Sequence, residues 1–137
     1  MTQPVRVLIA DDNARSRNGL RALLGTIRLK LSDTPAPDVA DKAWPEVEVV
    51  GEAANGREAV RQVAKCRPDV VLMDARMPEM DGLEATRLIK NRWPGIKVVM
   101  LTLYPSFRAE ALAAGADAFL VKGCSNEELI AAVLNGG

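Results

Sequence analysis

Five short apolar runs set the narrowest limit on what this chain can fold into: "VRVLIA" at 5–10, "VEVV" at 47–50, "DVVLM" at 69–73, "IKVVML" at 96–101 and "AFLV" at 118–121. Each is rich in β-branched or large apolar residues and too short for a buried helix, so each reads as a strand. The runs are nearly continuous in apolarity and do not alternate, which predicts burial on both faces, the mark of parallel strands in α/β proteins. Helical stripes lie between them. Leu20, Leu23, Leu24 and Ile27 follow the i, i+3, i+4, i+7 pattern of an amphipathic helix. Val60, Val63 and Ala64 suggest a second such stripe, and Ala85, Leu88 and Ile89 a third. Strand and helix alternating along the chain predict an open parallel sheet with helices on both faces.

Helix starts are written locally. Asn55 with Glu58, Asp81 with Glu84 and Ser125 with Glu128 each place a capping side chain three residues before a glutamate, the reciprocal arrangement that satisfies two orphan N–H donors. At 137 residues the chain fits one domain with one sizeable core. One segment departs from a compact plan. "LKLSDTPAPDVADKAWPE", about 29–46, has three prolines and no clean period, and exceeds the roughly 2–6 residues usual between a helix and a strand. It reads as an insertion or long surface loop. Its acids follow a first helix carrying Arg15, Arg17, Arg21 and Arg28. These are either two solvated faces of opposite sign, or a loop packed on a helix or a partner surface.

Charge and composition remove several function classes. Eighteen basic and 18 acidic residues balance, which gives no support for direct nucleic-acid or membrane binding by this domain. Proteins or small ligands are the expected partners. The chain has no histidine and only Cys66 and Cys124, so zinc-ligand patterns and histidine acid–base catalysis are excluded. A reducing, cytoplasmic setting is the simplest fit. The opening "MTQPVRVLIADD" is too short in apolar residues for a signal segment or a membrane span.

Ligands of open parallel sheets bind beyond the carboxyl ends of the strands, where strand order reverses. Asp11 and Asp12 follow the first run and Asp74 the third. If those strands are neighbours, three carboxylates converge, and like charges so placed are costly unless a cation joins them. Hard oxygen ligands suit Mg²⁺, which also shares a phosphoryl oxygen readily. Thr102 ends the fourth run with a hydroxyl and Lys122 follows the fifth with an ammonium. Taken together, these groups are able to hold a metal and a phosphoryl group in one place.

The stretches "VLIADDN", "GEAANGREAV", "PDVVLMDARMPEMDGLEA", "VVMLT" and "ALAAGADAFLVKG" resemble the receiver domains of two-component response regulators, and cover almost everything but 29–46. "GLRALL", "VVGEAANG" and "DARMPEMDGLEATR" look most like the NarL/LuxR type. The resemblance implies a flavodoxin-like (CheY-like) doubly wound sheet in the order 2-1-3-4-5, a single receiver domain over 1–137, and Asp74 as phosphoacceptor. It implies Asp12 and Asp74 as direct Mg²⁺ ligands, Asp11 as a water-mediated one, and the Arg76 backbone carbonyl as a further ligand. Thr102 and Lys122 would each meet a phosphoryl oxygen, and Phe119 matches the aromatic that turns inward on switching. The implied partner is a sensor histidine kinase. From the residues themselves, any self-association is expected through the first and last helices, the arginines of the first and Glu127 and Glu128 of the last offering opposite charges. The implied output is regulation of transcription through a domain absent from this chain. Such a chain is no enzyme beyond its own phosphorylation and dephosphorylation.

There are departures from the family pattern. Leu103 stands where a small residue is frequent, and Arg76 and Tyr104 occupy positions that tune acyl-phosphate lifetime. "LTLYPSFRAEALAAG" is about two residues short, which predicts a short fourth helix. Gly123 follows Lys122 where many receivers have proline. A rival reading is a phosphorylation-independent pseudo-receiver that only binds partners. A haloacid dehalogenase-like phosphatase is set aside, because Arg76 and Pro78 occupy the positions where its motif needs an acid and a threonine.

Overall fold

The computed structural model describes residues 4–26 and 46–135. Apart from Glu46, the predicted insertion lies outside the described residues, as do Ile27 and Arg28. Five parallel strands form one sheet: β1 (Val5–Ala10), β2 (Val47–Ala53), β3 (Val70–Met73), β4 (Lys97–Thr102) and β5 (Ala118–Val121). Their spatial order is β2-β1-β3-β4-β5, so strand order reverses between β1 and β3. The helices are α1 (Ala14–Gly25), α2 (Gly56–Cys66), α3 (Gly82–Arg92), α4 (Arg108–Ala113) and α5 (Asn126–Leu134). As the short sequence predicts, α4 has only six residues and is preceded by a 3-10 turn at Pro105–Phe107.

The continuous apolarity of the strands has a direct cause. Leu8, Ala10, Val71, Met73, Val98 and Met100 point into one core, shared with residues of α2, α3 and α4. Val7, Ile9, Val70, Leu72, Val99 and Leu101 point into a second core, shared with α1 and α5. Successive side chains of a strand face opposite sides, and here both sides are dry. The edge strand β5 is half-buried throughout, whereas every residue of β3 is buried.

Of each predicted reciprocal cap one half forms, and among the described residues no bond runs from the Glu58, Glu84 or Glu128 side chain back to the cap N–H. Asn55, Asp81 and Ser125 each accept a bond from the N–H of the glutamate three residues on. Asn13 does the same for α1, accepting from the Ser16 N–H.

Two helical faces differ from the sequence expectation. Ala64 is exposed and the buried residues of α2 are Gly56, Ala59 and Val63. Leu88 is 38% exposed while Ala85 and Ile89 are buried, so α3 turns Leu83, Ala85, Thr86 and Ile89 inward. Strand β2 runs three residues beyond the predicted Val50. The register with β1 shifts there, Val7 pairing with Val49 but Leu8 with Gly51.

That extension positions Glu52. Its carboxylate takes Arg17 Nε at 3.0 Å and Arg21 Nη2 at 2.7 Å, clamping α1 to β2. Two of the α1 arginines are therefore engaged within the chain. The Arg21 bond, set against burial and helped by Arg17, holds the Glu52 carboxyl below its ordinary 4.5. A depressed carboxyl contributes stability above the unfolded value and loses it as pH falls through the folded one.

Two tests follow from this packing. Glu52→Gln should cost up to about 1 kcal/mol at pH 7. That gap in denaturant midpoints between wild type and variant should close as pH drops below 4.5; a gap unchanged down to acid pH would exclude the clamp. A Cβ on Gly82 would overlap the carbonyl oxygen of Asp74, whereas one on Gly19, inside α1, would meet nothing. Gly82→Ala should cost about 3 kcal/mol or more by forcing the backbone apart, and Gly19→Ala should be neutral or gain up to about 1 kcal/mol. Equal thermal shifts for the two variants would contradict this geometry.

Candidate functional site

The acids are held by extensions of the β-ladder. Asp11 N–H bonds the Ala53 carbonyl at 2.9 Å and Asp74 N–H bonds the Ala10 carbonyl at 2.9 Å. Each is thus fixed one residue beyond its strand, on either side of the reversal between β1 and β3. The next chain segment is held as firmly, because Gly82 N–H bonds the Ala75 carbonyl at 2.9 Å and Gly56 N–H the Met80 carbonyl at 2.8 Å. Glu79, in this turn, has a left-handed φ of 67°, and its carboxylate accepts from the Asn55 side chain.

Asp11, Asp12 and Asp74 each place a carboxylate oxygen so that all lie within 4.8 Å of one another. Asp11 and Asp74 are buried and Asp12 is exposed. Lys122 answers much of this charge. Its Nζ lies 2.7 Å from Asp11 Oδ2 and 3.3 Å from Asp74 Oδ2. Asp11 Oδ1 accepts from the Asn13 N–H at 2.9 Å, and Asp74 Oδ1 from the Arg76 N–H at 3.4 Å.

Burial pushes the Asp74 carboxyl above its ordinary range; the Lys122 charge opposes this and the Asp11 charge adds to it. Burial pulls the Lys122 ammonium down, but its bonds and attraction to Asp11 and Asp74 outweigh burial and raise it. Lys122 therefore stays charged at neutral pH, one ammonium facing three carboxyl groups. Such a cluster is able to take a metal cation through hard oxygen ligands.

A cleft of about 460 Å³ opens onto this cluster, lined by Asp12, Asn13, Ser16, Asp74, Arg76, Leu103, Tyr104 and Lys122. Leu103 and Tyr104 stand at 61% and 44% exposure, and the Arg76 guanidinium lies 5.5 Å from the Tyr104 ring centre.

Thr102 is not among the residues lining the cleft. It is fully buried at the end of β4, and its Oγ1 accepts from the Tyr104 N–H at 3.4 Å. It meets the lysine through the backbone, Lys122 N–H bonding the Thr102 carbonyl at 2.7 Å. Phe119 is half-buried against the α2–α3–α4 core, with the Arg108 guanidinium 6.0 Å from its ring. Asn13 and Arg17 complete the surroundings, and sequence reasoning did not single them out for the site. Arg17 Nη1 donates to the Asp11 carbonyl at 2.6 Å. The signal for Asn13 was present, since an Asx residue after a strand and before a helical stripe is a cap; for Arg17 no local signal exists.

Known proteins resemble this one in sequence and fold. Residues 45–134 match the family model of the response regulator receiver domain. The transcriptional regulatory protein YhcZ of Bacillus subtilis is 37% identical over 128 residues, covering 92% of this chain and 52% of that protein. The response regulator protein VraR of Staphylococcus aureus is 36% identical over 131 residues, covering 94% of this chain and 54% of that protein. The chain thus spans about half the length of the curated relatives it matches. The signal receiver domain of NarL from Mycobacterium tuberculosis superposes with a TM-score of 0.78 at 31% identity, over 98% of this chain and 96% of that one. A LuxR-family response regulator from Aurantimonas superposes with a TM-score of 0.77 at 28% identity, over 97% and 84% of the two chains. With the family model spanning most of the chain and relatives aligned over nearly its whole length, this chain belongs to the response regulator receiver domain family.

Proposed function

We propose that Asp74 is the phosphoacceptor of this receiver and takes its phosphoryl group from a phosphohistidine of a sensor histidine kinase. In that transfer the P–N bond to the imidazole breaks as a bond forms between phosphorus and an Asp74 carboxylate oxygen, and the imidazole leaves. The reading rests chiefly on one observation: the Lys122 ammonium bridges the buried Asp11 and Asp74 carboxylates at the floor of an open cleft. An ammonium already in place favours the charge that develops on a transferring phosphoryl group, with little reorganisation.

Asp11, Asp12 and Asp74, together with the Arg76 carbonyl, would hold Mg²⁺, and the carboxylate cluster fits that ion by the number and hardness of its oxygens. Bound there, Mg²⁺ supplies charge neutralisation for phosphoryl oxygens. The chain's own residues do the rest. Asp74 attacks, Lys122 follows a phosphoryl oxygen, and the Thr102 hydroxyl turns from the Tyr104 N–H toward another. Phe119 moves with it, so that the surface of α4 and β5 changes and a binding partner reads the change.

Residues 1–137 are read as a single receiver, in keeping with the one sheet that holds every described strand. No helix among the described residues is long and apolar enough to cross a membrane, which agrees with a cytoplasmic setting. The names of the relatives support an output in transcription, through protein outside this chain. A homodimer through α1 and α5 remains part of the reading, although Arg21 is already bound to Glu52 and lends that face little free charge. The chain is not an enzyme acting on separate substrates.

A second reading, an idle pocket in a pure interaction module, draws on Leu103 and Tyr104 at the mouth of the cleft. One experiment divides the two. Incubation with a small phosphodonor and Mg²⁺, followed by intact-mass measurement, should add one acid-labile phosphoryl group to the wild type and none to Asp74→Asn. Phosphate retained in the variant would overturn the assignment of Asp74. A wild type that gains no phosphate and shows no Mg²⁺-dependent beryllofluoride binding would establish the interaction module.

A further inference from the structure

The outer face of α2 carries Arg57, Arg61 and Lys65, all exposed. Their i, i+4, i+8 spacing sets them in one row along about 12 Å of helix. Like charges at that spacing repel, and Glu58 is the sole acid of the helix. No ion pair joins it, or any other described carboxylate, to the row.

The row runs toward the C-terminal end of α2, where Arg67 caps the helix with φ of 46°. Glycine would occupy this left-handed position without strain. The chain keeps arginine there and fixes its side chain. Arg67 Nε donates to the Ala64 carbonyl at 3.2 Å, and the guanidinium lies 5.1 Å from the ring centre of Trp93. Arg92, at the end of α3, sets a second guanidinium 5.0 Å from the same ring. Neither has a carboxylate partner among the described residues. Arg17, Arg21, Lys90 and Lys122, by contrast, are all paired with acids. The Trp93 contacts offset part of the backbone strain and hold both guanidiniums in place while leaving their charge without an acid beside it.

We infer that this basic strip, from Arg57 to the Arg67–Trp93–Arg92 cluster, is a docking surface for an acidic helix of a partner protein. Glutamates at i, i+4 and i+8 on such a helix repeat at the same pitch as the row. The two guanidiniums are held against Trp93 before binding, so little side-chain freedom is lost on contact, and Arg and Trp are the usual anchors of protein interfaces. A nucleic-acid backbone fits less well. The chain as a whole balances 18 basic against 18 acidic residues and offers a polyanion no basic footprint beyond this strip. The Trp93 end also lies away from Asp74, because α2 and α3 end where β3 and β4 begin. Docking here is therefore independent of the phosphoacceptor reading.

Fluorescence anisotropy of the whole chain with three labelled probes tests the inference: a helix-forming peptide with glutamate at i, i+4 and i+8, a scrambled peptide of the same composition, and a short DNA duplex. The patterned peptide should bind most tightly, and more weakly as salt rises. The solvent-facing double variant Arg61→Glu/Lys65→Glu should weaken it about tenfold or more. Arg67→Gly, which relieves the left-handed strain and so preserves the fold, should weaken it as well, while Asp74→Asn should bind like the wild type. The inference is overturned if DNA binds more tightly than the patterned peptide, if the scrambled peptide binds equally well, if neither strip variant changes affinity, or if the patterned peptide does not bind.

Discussion

One ammonium group shared by two buried carboxylates is the interaction around which the functional end of this protein is built. Asp11 and Asp74 immediately follow β1 and β3, the strands that flank the reversal in strand order, and Lys122 immediately follows the edge strand β5. To reach them the lysine lies across the end of β4, and its backbone N–H is tied to the Thr102 carbonyl on the way. Desolvated carboxylates are costly alone, and the lysine offsets part of that cost. The three acids remain close enough together to hold a metal ion.

The rest of the fold keeps that geometry fixed. Strand β3 is buried on both faces, so the residue at its end cannot shift without disturbing two cores at once. On the far side, Gly82 lets α3 start against the Asp74 carbonyl, a contact no Cβ permits. Lys90 performs a comparable task at the other end of the sheet. Its ammonium donates to the Pro94 and Ile96 carbonyls and to Asp117, which in turn accepts from the Val98 N–H, tying α3 to the starts of β4 and β5. Four of the five strands carry a polar residue at or just past the carboxyl end, Asp11, Asp74, Thr102 and Lys122, while β2 ends in Ala53.

Much of this was legible in the sequence, because the signals are local. Apolar runs buried on both faces read as parallel strands, and Asn55, Asp81 and Ser125 announce helix starts by hydrogen bonds spanning three residues. The carboxylates, Thr102 and Lys122 were legible as strand-end residues, since an abrupt polar residue after an apolar run marks where a ladder stops. Features that depend on distant partners were not. The continuation of β2 through Gly51 and Glu52 is set by pairing with β1, not by apolarity, and the Glu52 clamp on Arg17 and Arg21 spans more than thirty residues of chain. Ala64 and Leu88 were assigned to the wrong face because a three-residue stripe fits two neighbouring helix orientations. Thr102 reads as a strand end in sequence, but only the packed structure reveals that its hydroxyl is buried and turned to the Tyr104 N–H.

The central claim, that the three acids beside Lys122 form a cation site, is most directly tested by thermal unfolding with and without millimolar Mg²⁺. An ion that binds only the folded state raises the unfolding temperature. The wild type should therefore melt at a higher temperature with Mg²⁺, and Asp12→Ala, which removes the exposed acid while leaving the Lys122 bridge intact, should show no shift. Wild-type melting curves that superimpose with and without Mg²⁺ would contradict the claim.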